Sequence, residues 1–149
     1  MAFLDTRIAP RSQRRFQGYR SAAVTAGVFS ENRALTIMDL SNLTLGARLC
    51  TEVMARAPET DAILCNNDSL WSSDETRRLG LSIPDRLRHG GFNDLEMMTC
   101  AEPWTTSMRT YRYRMGHQGC RNAAGPVEQQ GACRVDGATQ HQSANLALR

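Results

Sequence analysis

Two polar clusters stand where apolar runs end. The first closes Ile63-Leu64-Cys65-Asn66-Asn67-Asp68, and the second is Asn93-Asp94 within Gly91-Phe92-Asn93-Asp94-Leu95-Glu96. Amides offer donors and acceptors together, which suits a hydroxylated ligand, whereas ionised carboxylates only accept. Neither cluster has the company that catalysis needs. Asp94 and Glu96 lie close together without a neighbouring His or nucleophile pattern, and the chain holds no Gly-rich phosphate loop, nucleophile elbow or metalloprotease helix. The expectation is a protein that is not an enzyme and takes no cofactor. His117, Cys120, Cys133 and His141 are zinc-type residues, but the second Cys–His gap is too long for a common finger and the surroundings are rich in Gln. No metal is expected. Arg109-Thr110-Tyr111-Arg112-Tyr113-Arg114 interleaves cations with aromatic rings, a pattern that can stack on single-stranded nucleic acid, and equally the two faces of a strand running into a helix. The second account is adopted here.

The rest of the composition points the same way. With 149 residues, 41% of them hydrophobic, the chain can bury one core. Every one of its 18 basic residues is Arg, scattered among 15 acids, so the formal charge of +3 forms no dense arm for nucleic acid. The N-terminal stretch lacks the long apolar segment of a secretory signal, and no run is long enough to span a bilayer. Five Cys without a regular framework fit a reduced chain, so a cytoplasmic location is expected and no membrane partner.

Elements that could position the clusters follow from periodicity. Ala2-Phe3-Leu4-Asp5 reads as a strand. After Pro10 a helix over 12–26 presents Phe16, Tyr19, Ala22, Ala23 and Ala26, and Gly27 stops it. Residues 34–40 read as the next strand. Ser41 or Asn42 then caps a helix with the stripe Leu43, Ala47, Cys50, Met54 and Ala57, ended by Pro58. Residues 62–65 form a third strand, and Asp68 is placed to cap a helix over 69–79 that Gly80 ends. Weaker strands cover 86–92 and 105–111, and a helix starting at Arg112 is expected to fail at Gly119 and Gly125-Pro126. Strand and helix alternate, which predicts an α/β fold with a doubly wound parallel sheet. In such sheets ligands sit off the carboxyl ends of the strands, where both polar clusters fall.

Taken together, "AFLDTRIAPRSQRRFQGYRSAAVTAG", "DAILCNND", "LGLSIPDRLRHGGFNDLE" and "PWTTSMRTYRYRMG" resemble the effector-binding domain of lactose-repressor-type (LacI/GalR) transcription regulators, nearest the gluconate-repressor branch. The resemblance implies a partial periplasmic-binding-protein-like lobe over 1–116, mostly the family's second lobe, while the Gln-rich composition without aromatic residues leads to the expectation of a poorly ordered tail over 117–149. It implies a small-molecule partner, a sugar or sugar acid. DNA would be reached only through a helix-turn-helix headpiece that this chain is expected to lack, and intact relatives are expected to be homodimers. Carried over by position, Arg15 matches the Arg that reaches the effector, Asn67 the cleft Asn, and Asn93 a position that grips sugar hydroxyls. Asp68 and Asp94 are expected to support these residues without touching ligand.

The chain also departs from that family's pattern. Trp71-Ser72-Ser73-Asp74 stands where small and apolar residues are usual, His89 where Ile or Val is, Thr105 and Met108 where Leu and Val are, and Tyr111 where Pro is common. Forgoing the burial of one apolar side chain costs about 1.5–3 kcal/mol. The same residues admit two other readings: a truncated remnant without function, and an interaction module that pairs with an intact regulator.

Overall fold

The computed structural model describes residues 1–6, 10–100, 102 and 105–124. Five strands, β1 (Ala2–Thr6), β2 (Ala34–Ile37), β3 (Ala62–Cys65), β4 (Arg88–Phe92) and β5 (Thr106–Met108), form one sheet in the order β2-β1-β3-β4-β5. Every pairing is parallel. Among the described residues the four α-helices are α1 (Pro10–Thr25), α2 (Leu43–Arg56), α3 (Ser73–Arg78) and α4 (Arg112–Ala124).

Alternation along the central strands divides the core in two. Ala2 and Leu4 of β1 and Ile63 and Cys65 of β3 face α2, where Leu45, Leu49 and Val53 complete the larger cluster. Phe3 and Leu64 face the other way and meet Tyr19 and Ala23 of α1. The sheet is therefore covered on both faces, as the α/β alternation predicts, and the doubly wound class is observed.

Several boundaries differ from the sequence reading. β2 ends at Ile37, because the chain turns there: Asp39 N donates to Ile37 O, and the Asp39 carboxylate accepts from Leu40 N at 2.7 Å. Met38 and Leu40 are left exposed. Asn42 caps α2, its side chain accepting from Leu45 N at 2.8 Å. Replacing it (Asn42→Ala) is expected to lower stability by about 1 kcal/mol in urea denaturation. The buried face of α2 is Leu45, Gly46, Leu49, Cys50 and Val53, so the expected stripe is turned away from the core at Leu43, which is exposed.

The single helix expected over 69–79 is instead a 3-10 turn at Asp68–Leu70 followed by α3. Trp71 leaves helical geometry (ψ 130°), and its indole is buried in the larger core cluster. Ser72 then caps α3 by accepting from Glu75 N. At the other end, α4 continues through Gly119 to Ala124. A single Gly costs a helix only about 1 kcal/mol, which is not enough to end it. Pro126 and residues 125–149 of the expected tail lie outside the described residues.

Candidate functional site

β1 leads outward to β2 on one side, and the chain then returns to β3 on the other. The carboxyl ends of β1 and β3 therefore flank the crevice where the winding direction reverses. A cavity of about 500 Å³ opens there, lined by residues from the ends of four strands and the start of α1. Arg15, Asn67 and Asn93, separated by up to 78 positions in the chain, all line it, as do Asn66, Arg11 and Arg112.

The site is built from the sheet edge upward. Asn66 N donates to Leu4 O at 2.9 Å, continuing the β1–β3 ladder by one residue. Its side chain is buried, with Nδ2 donating to Asp5 Oδ1 at 2.5 Å and to Ser12 Oγ at 3.0 Å. The Asp5 carboxylate also accepts from Thr6 N at 2.7 Å. Burial raises the Asp5 pKa from its ordinary value, and the hydrogen bond from Asn66 opposes that shift. Asn66 thus locks the first turn of α1 to β1 and β3, a role its position beside Asn67 in the sequence does not reveal.

Arg15 is held by three contacts. Its Nη1 donates to Asn66 O at 2.8 Å and to Asn66 Oδ1 at 3.2 Å, and its Cζ lies 3.4 Å from the centre of the Phe92 ring. Burial, followed by the nearby Arg11 charge, lowers the Arg15 pKa from its ordinary value. Among the described residues the lining includes three guanidinium groups and no carboxylate. Asn67 accepts from Ser69 N at 3.1 Å and from Asn93 Nδ2 at 3.4 Å, so the two amides meet across the gap between β3 and β4. Arg112 Nη2 donates to Asn93 O at 3.1 Å. Such a wall offers cationic donors to an anionic group and mixed amide and hydroxyl partners to a polyol.

Asp68 and Asp94 do not line the cavity. Asp68 is not the helix cap the sequence suggests. Its carboxylate is fully buried and accepts from Leu95 N and from Ser107 Oγ. Asp94 pairs with Arg109 at the surface. Thr6, Arg11, Ser12, Ser41, Ser69 and Arg112 escaped the sequence reading, although Arg11 and Ser12 sit at a strand-to-helix junction of the kind that flags a site in this class of sheet. Among the described residues no group of three metal-type side chains gathers, and no helix is long and apolar enough to cross a membrane. Of the four zinc-type residues, Cys133 and His141 lie outside the described residues.

A covered parallel sheet with one cationic, amide-rich cavity at its switch point defines a ligand-binding lobe. The chain belongs to the periplasmic binding protein-like domain family, whose model matches residues 1–135. Its relatives are lactose-repressor-type regulators, as the motifs indicated. The HTH-type transcriptional regulator GntR of Pseudomonas aeruginosa is 28% identical over 120 residues, covering 79% of this chain and 35% of that protein. GntR of Escherichia coli K12 is 30% identical over 121 residues, covering 80% and 36%. The chain thus spans about a third of the length of these curated relatives. Among solved structures, transcription regulator GntR from Chromobacterium violaceum matches with a TM-score of 0.74 at 30% identity, over 77% of this chain and 43% of that one. The regulator CelR in complex with cellobiose matches with a TM-score of 0.67 at 26% identity, over 79% and 38%. These relatives are transcriptional regulators.

Proposed function

We propose that this chain is the effector-sensing part of a cytoplasmic lactose-repressor-type regulator and that its effector is a sugar acid of the gluconate kind. The observation that supports this most is the convergence of Arg11, Arg15 and Arg112 with the amides of Asn66, Asn67 and Asn93 on one cavity, with no carboxylate among its described lining residues. A polyol with a carboxylate suits that wall, the carboxylate facing the guanidinium groups and the hydroxyls facing the amides. In a regulator with a DNA-binding headpiece, binding here would shift DNA affinity through coupling between the two sites.

Magnitudes limit what this wall can do unaided. An Arg–carboxylate bond contributes about 1.5–3 kcal/mol and each neutral amide contact about 0.5–1.5. Association itself costs about 4–15 kcal/mol, so binding to the described wall is expected to be millimolar at best. An NMR titration of this chain with gluconate and with sorbitol tests the reading. Gluconate should bind about 10- to 100-fold more tightly, the ratio that one charged hydrogen bond confers. Arg15→Leu should remove most of that preference. Equal shifts from both ligands, or no binding of either, would refute the sugar-acid assignment.

A further inference from the structure

The loop that carries Asn93 adopts a backbone its residues avoid. Asn93 has φ 109° and Asp94 has φ 50°, two successive non-glycine residues in the left-handed region. Such strain persists only where the surroundings over-determine it. Here Asp68 and Ser107 supply much of that constraint. The fully buried Asp68 carboxylate accepts from Leu95 N at 2.9 Å and from Ser107 Oγ at 2.7 and 2.9 Å. The same Ser107 Oγ accepts from Asp94 N at 2.9 Å. The two backbone amides that follow Asn93 are therefore anchored on one buried pair, contributed by the 3-10 turn after β3 and by the middle of β5.

Room for that pair depends on Gly91. A Cβ at this position would stand 2.0 Å from Asp68 Oδ1. Asn93 N is tied separately, donating to Met108 O at 3.0 Å, and its side chain is left to reach Asn67 at the cavity. Neither Asp68 nor Ser107 lines the cavity.

We propose that Asp68 and Ser107 are positioning residues: their buried carboxylate–hydroxyl pair fixes the strained backbone of Asn93 and Asp94 and so aims the Asn93 amide into the cavity. The consequence for ligand rests on the sugar-acid reading above, whereas the fixing of the backbone does not. The test compares the full 149-residue chain with its Ser107→Ala and Ser107→Thr variants, by NMR amide exchange and gluconate titration. In Ser107→Ala, exchange at Asp94 and Leu95 should accelerate about tenfold, as expected when one buried hydrogen bond is removed, while the amides of Leu4 and Ile63 keep their rates. Gluconate affinity should fall by a similar factor, and Ser107→Thr should restore both. Unchanged exchange at Asp94 and Leu95, acceleration spread evenly over the sheet, or no rescue by Thr would overturn the proposal. A wild-type chain that ignores gluconate would sink the sugar-acid reading alone, since exchange still decides the positioning role. Should Ser107→Ala not fold, adding Asn93→Gly discriminates. That double variant folds if the pair serves to hold strain at Asn93, and its failure to fold would assign the pair to general packing.

Discussion

Gly46→Ala is expected to cost about 3 kcal/mol or more, or to prevent folding, because the added methyl has nowhere to go. A Cβ at residue 46 would stand 1.9 Å from Leu70 O, 2.4 Å from Leu70 C and 2.8 Å from Leu70 Cα. All three are backbone atoms, so no rotamer change relieves the clash, and either α2 or the 68–70 turn must move. That turn is pinned from both sides. Leu70 N donates to Asn67 O at 3.0 Å, and Asp68 is bound to Leu95 and Ser107. Displacement would therefore reach the cavity through Asn67. A domain has only about 5–15 kcal/mol in total, so the loss is a large share. Gly18→Ala is the control. It lies in the interior of α1 with nothing within 4 Å of a Cβ, and should be neutral or stabilising by up to about 1 kcal/mol. Urea denaturation of both variants decides the matter, and a Gly46→Ala midpoint equal to wild type would show that the close approach of α2 to Leu70 is absent in solution.

Stability should also fall steeply between pH 6.5 and 4.5, and His89 should be the cause. Its imidazole is buried and stacks on the Trp71 indole with ring centres 3.8 Å apart. Among the described residues neither imidazole nitrogen has a hydrogen-bond partner, nor does Trp71 Nε1. Burial lowers the His89 pKa from 6.5 to about 3. The folded chain therefore keeps His89 neutral, while the unfolded chain takes up a proton as the pH drops below 6.5. Above that value proton uptake adds no penalty, and below it folding loses about 1.4 kcal/mol per pH unit, or about 3 kcal/mol by pH 4.5. Glu75 also destabilises the fold on acidification, since its hydrogen bond from Arg78 and then that from Thr51 hold its pKa at about 2. Its window opens only below its ordinary value of 4.5, and Asp5, whose pKa burial raises, gains stability on acidification, so the loss above 4.5 is assigned to His89. His89→Ile should flatten the stability profile between pH 6.5 and 4.5. An unchanged slope in that variant would mean that another group takes up the proton.

The Trp71–His89 stack also changes how the departures from the family pattern are understood. Taken singly, each replaces a smaller or purely apolar residue and each looks like a packing defect. In the fold the two lie against one another, and the aromatic area of one covers that of the other. What remains unfavourable is the set of three unpaired nitrogen atoms, which neither residue type discloses by itself.

The amino-acid sequence by itself determined the fold class and the edge where the site lies. Strand and helix patterns alternate in the order that predicts a parallel sheet, and the Asn67 amide follows a plainly apolar strand whereas Asn93 follows a weaker one. Arg15 came from motif resemblance, and the sheet brings it to the same cavity. Only the tertiary structure decided the face of α2, the break before α3 and the partners of Asp68. On α2 two apolar rows overlap, one through Leu43 and Ala47 and one through Leu45 and Leu49, and periodicity weighs them alike. Gly46 resolves the choice, because only that face lets the helix approach the Leu70 backbone. The Asp68 carboxylate bonds Ser107, 39 positions later, and the Asn93 amide reaches Asn67, 26 positions earlier. Such pairs are set by strand order and register. Local pattern holds no record of a neighbour that only the sheet brings near.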